Sequence, residues 1–293
     1  MRIVREYRKR LLQSLFVLAV VLFLTSAYTF AQSNLDDLRN RISNGSVEEK
    51  RNALFNIRNL HTEEASRIAV AALNDRNELV RATASASIVF LPKPEAAKLL
   101  IPLLNDKAEF VRSEAAFALG EVGDASAVGP LIQRLQKDSG SVRSACAAVL
   151  GKIGDVSAVD ALNAILKGKP NEADENLRRS AARSIGQITQ IIRTGKRRVD
   201  TPQNFLPTKY KDNYSALESV VTSYPVFNSS VRILAGVLSN KREADDVRRE
   251  AAFALGSIGD PSARTVLLEY VSSSDKYLAE ICKEALLDLA PAE

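Results

Sequence analysis

From about residue 47 onward, apolar residues recur at spacings of three and four, the period of a helix with one buried face. The pattern itself then repeats. Its strongest copy runs Val111-Arg-Ser-Glu-Ala-Ala-Phe-Ala-Leu-Gly-Glu-Val-Gly-Asp124. It returns as VRSACAAVLGKIGD at 142–155 and as VRREAAFALGSIGD at 247–260. Weaker copies occupy 80–91, 177–188 and 277–289, and a degenerate one 49–60. The copies start at Glu49, Val80, Val111, Val142, Leu177, Val247 and Tyr277, with first steps of 31 residues and later steps of 35, 70 and 30.

Each copy predicts a helix that ends at a glycine. Val111, Ala115, Ala118, Leu119 and Val122 form its apolar stripe, with Phe117 partly on it. The small alanines let a neighbouring helix come close. Gly123, Gly154 and Gly259 stand where a left-handed residue is wanted after a helix end. Asp124, Asp155 and Asp260 follow at once and can accept the first free N–H groups of a second helix. That second helix reads Ala127, Val128, Leu131, Leu135, and again Ala158, Val159, Leu162, Leu166. No single helical pair can bury its apolar face, so the units must stack. The expected fold is all-α, an α-α superhelix of about seven helical-hairpin repeats.

The V-R-x-x-A-A-x-A-L-G-x-I-G-D string resembles HEAT repeats, in particular the HEAT-like repeats of phycobilisome lyases, over roughly residues 47–289. In that family an Asp six residues before the repeat Arg ties adjacent repeats together. Asp75/Arg81 and Asp106/Arg112 match this spacing, Asp138/Arg143 is one residue short, and Arg178 and Arg248 have no such Asp. The resemblance therefore implies a structural role for the arginine column, since interspersed opposite charges lace a solvated face. Deoxyhypusine hydroxylases, another HEAT-like family, hold di-iron with His-Glu motifs. No His-Glu dipeptide occurs here, which excludes that activity.

The repeat breaks once. The 70-residue step is 39 residues longer than one repeat, and an irregular insertion is expected at about 193–229. Residues 214–223 could form a short helix, and 230–240 reads as the delayed second helix. From Arg193 to Lys211 there are six basic residues and one acid, and five of the twelve aromatics beyond residue 31 lie between Phe205 and Phe227. Tyr and Arg are enriched at binding hot spots, which makes Lys196, Arg197, Arg198, Phe205, Tyr210 and Tyr214 candidate partner-binding residues. The alternative is that the aromatics pin the insertion onto the repeats while GKRR (195–198) stays in water.

Charge adds a leader to the picture. Of the net charge of +5, +4 lies in residues 1–31, so the chain carries no concentrated basic face for nucleic acid. A basic stretch over 1–10, an apolar run over 11–24 and small Thr29 and Ala31 two apart are the pattern of a secretory signal peptide, with cleavage expected after Ala31. Its alternative is an uncleaved anchor over 11–30, 20 residues long. Both predict a chain exported to the periplasm or secreted space, with a repeat region over 32–293.

Catalytic sets are absent from the composition. One His (His61) and two Cys (Cys146, Cys282) exclude multi-His metal centres and zinc fingers. His61 reads as a loop or capping residue, and both Cys as buried free thiols on the inward stripe. The LGxxGD glycines read as helix punctuation and do not follow a strand, so they form no phosphate loop. The exposed second-helix column Arg67, Lys98, Gly129, Asp160, Thr265 is mixed in charge and names no partner. The expectation is thus a monomeric, non-enzymatic scaffold or adaptor that needs no cofactor and binds other proteins by second-helix faces and the insertion. Two rivals are a bilin-lyase-like protein holding a tetrapyrrole and a binder of anionic surface polymer or membrane through the basic insertion. The first follows from the resemblance alone, and the leader argues against it, because such lyases act inside the cell.

Overall fold

The computed structural model describes residues 33–196, 202–210 and 218–289, and all regular structure among them is helical. The proposed signal peptide or anchor, together with Arg197, Arg198 and Tyr214, lies outside these residues. The chain divides into two units, 1–90 and 91–293.

The first unit holds α1 (33–44), α2 (Val47–Leu60), α3 (Glu63–Ala69) and α4 (Glu78–Ser87), with a 3₁₀ turn at Val70–Asn74. The starts of α2, α3 and α4 are each set by a polar side chain. Ser46 and Glu49 form a reciprocal capping box at α2, Thr62 accepts the Ala65 N–H at α3, and Asn77 accepts the Leu79 N–H at α4. Ala53, Leu54 and Ile57 of α2 are fully buried. His61 ends α2 at φ 53°, the one non-glycine residue with positive φ among the described residues. Its N–H reaches the Arg58 carbonyl and its ring meets Phe90 edge-on, with centroids 4.9 Å apart. It is a capping residue, as its position suggests.

The second unit contains α5 (Lys93–Leu100), α6 (Glu109–Val122), α7 (Val128–Lys137), α8 (Gly140–Ile153) and α9 (Val159–Lys167). After these come α10 (Glu175–Thr194), α11 (Phe227–Ser239), α12 (Asp245–Ile258), α13 (Arg264–Leu268) and α14 (Lys276–Asp288). First helices α6, α8, α10, α12 and α14 pack in sequence, and second helices α7, α9, α11 and α13 line up beside them. This is the expected all-α, HEAT-type solenoid architecture. The seventh copy, α14, has no second helix among the described residues.

The turns between paired helices work as their residues predict. Gly123, Gly154 and Gly259 sit at φ 67°, 83° and 74°. Asp124, Asp155 and Asp260 each accept a backbone N–H two residues on, from Ser126, Ser157 and Ser262, at 2.9, 2.8 and 2.8 Å. The other glycine of the LGxxGD string has a different job. Gly120, Gly151, Gly186 and Gly256 lie inside first helices, where a Cβ would strike Val149, Ser184, Phe253 with Ala254, and Ala285 of the next first helix. They are contact points and not punctuation, which corrects the sequence expectation.

The same seam corrects the last copy. Val149, Ser184 and Ala254 all stand seven residues after a copy start, and Ala285 then places the final start at Leu278, one later than Tyr277. Burial agrees, since Leu278 is 0% and Tyr277 47% exposed. Cys282 therefore occupies the same column as Cys146, the fourth after a start, and both are buried free thiols.

Candidate functional site

The arginine column ends helices. Arg81 donates to the Asp75 and Arg76 carbonyls, Arg112 to those of Asp106 and Lys107, Arg143 to Leu135 and Arg248 to Leu238. Each guanidinium thus satisfies carbonyls left over at or just after the end of the preceding helical segment.

Carboxylates in the loops then cross-link repeats. The Lys50 ammonium meets Asp75 at 2.7 Å, 25 residues on, and Arg112 grips Asp138 through two bonds of 2.8 and 2.9 Å, 26 residues on. Hydrogen bonds from Arg112 hold the Asp138 carboxyl below its ordinary range. Arg178, which the sequence leaves without an Asp, finds Glu243 instead, 65 residues on and with bonds of 2.8 and 2.6 Å. That span exceeds the Arg112–Asp138 span by 39 residues, the length of the insertion. The staple is conserved in space across the interruption. The pair is deeply buried, at 3% and 2% exposed, and Arg178 further donates to the Ile165, Leu166 and Gly168 carbonyls.

The insertion begins beyond an elongated helix. α10 has 20 residues where α6, α8 and α12 have 14. Its added turns bring Ile191 against Gly154, and Arg193 against Gly259. The Arg193 guanidinium donates to the Ser257 carbonyl at 2.8 Å and the Asp288 carbonyl at 3.2 Å, joining the ends of α12 and α14. Of the short helix expected over 214–223, residues 214–217 lie outside the described residues; 218–220 are irregular and 221–223 form a turn, with the Val220 N–H bonded to the Ile258 carbonyl at the end of α12. The delayed second helix does form, as α11.

Of the six candidate partner-binding residues, the structure describes two side chains. Lys196 is exposed just past the α10 end, its carbonyl accepting from the Thr194 hydroxyl. Phe205 stacks on Tyr277 of α14, with centroids 4.8 Å apart and planes at 25°, and stays 46% exposed. Beside it the Asn204 amide donates to Glu280 of α14. The backbone of Tyr210 lies in a 3₁₀ turn, Thr208–Tyr210. Phe205 therefore pins the insertion to the first-helix side, away from the second helices with which the sequence reading grouped it.

That first-helix side carries a ladder of ion pairs. Arg179 meets Asp246 at 3.3 Å, Asp246 meets Arg249 at 2.7 Å, and Arg249 meets Asp275 at 2.8 Å while lying 5.8 Å over the Tyr277 ring. Arg183 is paired with Glu250. Burial would raise the Asp275 carboxyl, but Arg249 and the Leu278 and Tyr277 N–H groups hold it below the ordinary range.

Next to this ladder α6, α8 and α10 enclose a cleft of about 290 Å³, walled by Phe117, Lys152, Arg179 and Arg183 over a floor of Ala148 and Val149. Its origin is legible in the repeat. The seventh residue of successive copies is Phe117, Ala148 and Arg183, so a small residue sits between two large ones. Sequence reasoning scanned the second-helix column and missed this one. The cleft is lined by three cations and no acid. Phe117 is 45% exposed, and among the described residues Lys152 forms no ion pair. Among the described residues no group of three or more His, Cys, Asp or Glu could hold a metal ion, and no helix is long and apolar enough to cross a membrane.

The geometry defines a class, an all-helical repeat protein of stacked helix pairs. HEAT repeats match residues 35–119 and 100–186, more than half of the chain, and a PBS lyase HEAT-like repeat matches 247–273. The chain belongs to the HEAT-repeat family. No curated protein matches it. Among solved structures, an engineered protein is 18% identical with a TM-score of 0.52, over 86% of this chain and 67% of that one. The complex of CpcE and CpcF of phycocyanin lyase from Nostoc is 20% identical with a TM-score of 0.47, over 87% of each chain. Human deoxyhypusine hydroxylase in complex with glycerol is 17% identical with a TM-score of 0.41, over 89% and 97%. The engineered protein shares the fold, and the other two are too distant to say more.

Proposed function

We propose that the chain is a monomeric, non-enzymatic scaffold or adaptor that binds other proteins, exported to the periplasm or secreted space by its N-terminal leader. The observation that carries this reading is the first-helix surface of the second unit. There an exposed aromatic, an exposed lysine and a chain of half-exposed ion pairs surround an open cleft. A mixed surface of this kind, with aromatic and arginine anchors, suits protein recognition. The basic, apolar and small-residue order of residues 1–31 supports export.

The test is a pull-down from envelope extract with the chain beginning at Gln32. A partner held by the native protein and lost with the double variant Phe117→Ser, Lys152→Glu supports the reading. Retention of every partner by that variant, or no partner at all, contradicts it. Fractionation of cells for the full-length protein tests the address separately. Recovery in the cytoplasm would contradict export.

A further inference from the structure

The cleft between α6, α8 and α10 has a chemistry of its own. Lys152, Arg179 and Arg183 line it, and Ser180 and Gln187 add neutral hydrogen-bonding groups. The two guanidiniums are not loose. Asp246 holds Arg179 and Glu250 holds Arg183 from the α12 side, so both are oriented in advance. Preorganised arginines lose less freedom when they bind a planar anion such as a carboxylate. Lys152, on α8, forms no ion pair among the described residues and is exposed at the cleft.

The charge of the cleft favours an anion: three cations and no acid line it, and the Asp246 carboxylate beside Arg179 is shared with Arg249. One part of the wall is apolar, with Phe117 almost half exposed beside Ala148 and Val149. An exposed aromatic gains from covering by an apolar side chain, which a bare anion cannot supply.

We propose that this cleft seats an acidic peptide segment of a partner protein, with one Asp or Glu carboxylate among Lys152, Arg179 and Arg183 and an adjacent apolar side chain on Phe117. The proposal rests on the reading of this surface as a protein-binding one and names the chemistry it reads.

The experiment is selection of random peptides, displayed on phage, against the full chain, followed by anisotropy titration of the enriched peptides in labelled form. Expected are sequences pairing Asp or Glu with Leu, Ile or Phe, whose affinity falls as salt rises. Lys152→Glu should weaken them by about tenfold or more, while Lys152→Arg keeps the charge and the binding. Phe117→Ser should weaken peptides that carry the apolar residue and leave purely acidic ones unchanged. Lys152 and Phe117 are exposed, so these variants fold, and circular dichroism verifies it. Enrichment of neutral or basic peptides, no enrichment, indifference to Lys152→Glu, or displacement of the peptide by inorganic phosphate would each overturn the proposal. Loss of the peptide result with a surviving, surface-dependent pull-down refutes this inference alone. Failure of both refutes the scaffold reading as well.

Discussion

Arg178 shows how one side chain can hold a repeat that sequence spacing leaves unpartnered. Its guanidinium is buried, bonded through two nitrogens to Glu243 and also to three carbonyls around the end of α9. Removing one member of such a pair strands a buried charge, which costs about 3–5 kcal/mol, while an apolar replacement of similar volume costs less. Arg178→Ala should therefore lower the denaturation midpoint far more than the double change Arg178→Met, Glu243→Leu, as urea unfolding would show. The cysteines are the opposite case. Burial pushes both thiols up to about 12, so neither ionises near neutral pH. A thiol reagent at pH 8 should label neither Cys146 nor Cys282 in the native protein and both after unfolding. Their inward position was legible from the repeat stripe. The partner of Arg178 was not, because a contact across 65 residues leaves no local spacing to read.

At the scale of the helix, glycine is used in two ways that look alike in sequence. Gly256 lies against Ala285, where an added Cβ would come within 2.6 Å of backbone, so neighbouring helices must part to admit it. Gly236, inside α11, has nothing within 4 Å of that position. Gly256→Ala should cost about 1–3 kcal/mol by overpacking, and Gly236→Ala should gain about 0.5–1 kcal/mol from helix propensity. Thermal melts of the two variants should thus shift in opposite directions. Helix stops at Gly123, Gly154 and Gly259 could be read directly from Gly-Asp after an apolar stripe, since capping is local chemistry. The in-helix glycines could not, because what they admit belongs to the next copy. The register of the last copy was off by one residue for a similar reason: Tyr277 is apolar enough to fit the stripe, but only Leu278 reaches the core.

Across the second unit, loop carboxylates decide how the protein meets acid. Asp138 and Asp275 titrate below their ordinary value of 3.8 in the folded chain. An acid whose folded value is depressed adds stability above its unfolded value and loses it as pH falls through the folded one. Stability should therefore hold from neutral pH down to about 4 and decline below that. Asp138→Asn should shrink the difference between melts at pH 7 and pH 3. The repeat architecture was legible from the chain alone, since seven copies of one stripe admit few other folds. The cleft was harder to see, because it depends on which residue each of three copies carries at one position off the buried stripe, the seventh. Its most direct test is hydrogen–deuterium exchange on the complex with a captured partner. Slowed exchange along α6, α8 and α10, strongest around Phe117, Lys152 and Arg183, is the predicted result. Slowing confined to the second helices α7, α9 and α11, with the first helices unchanged, would contradict the account.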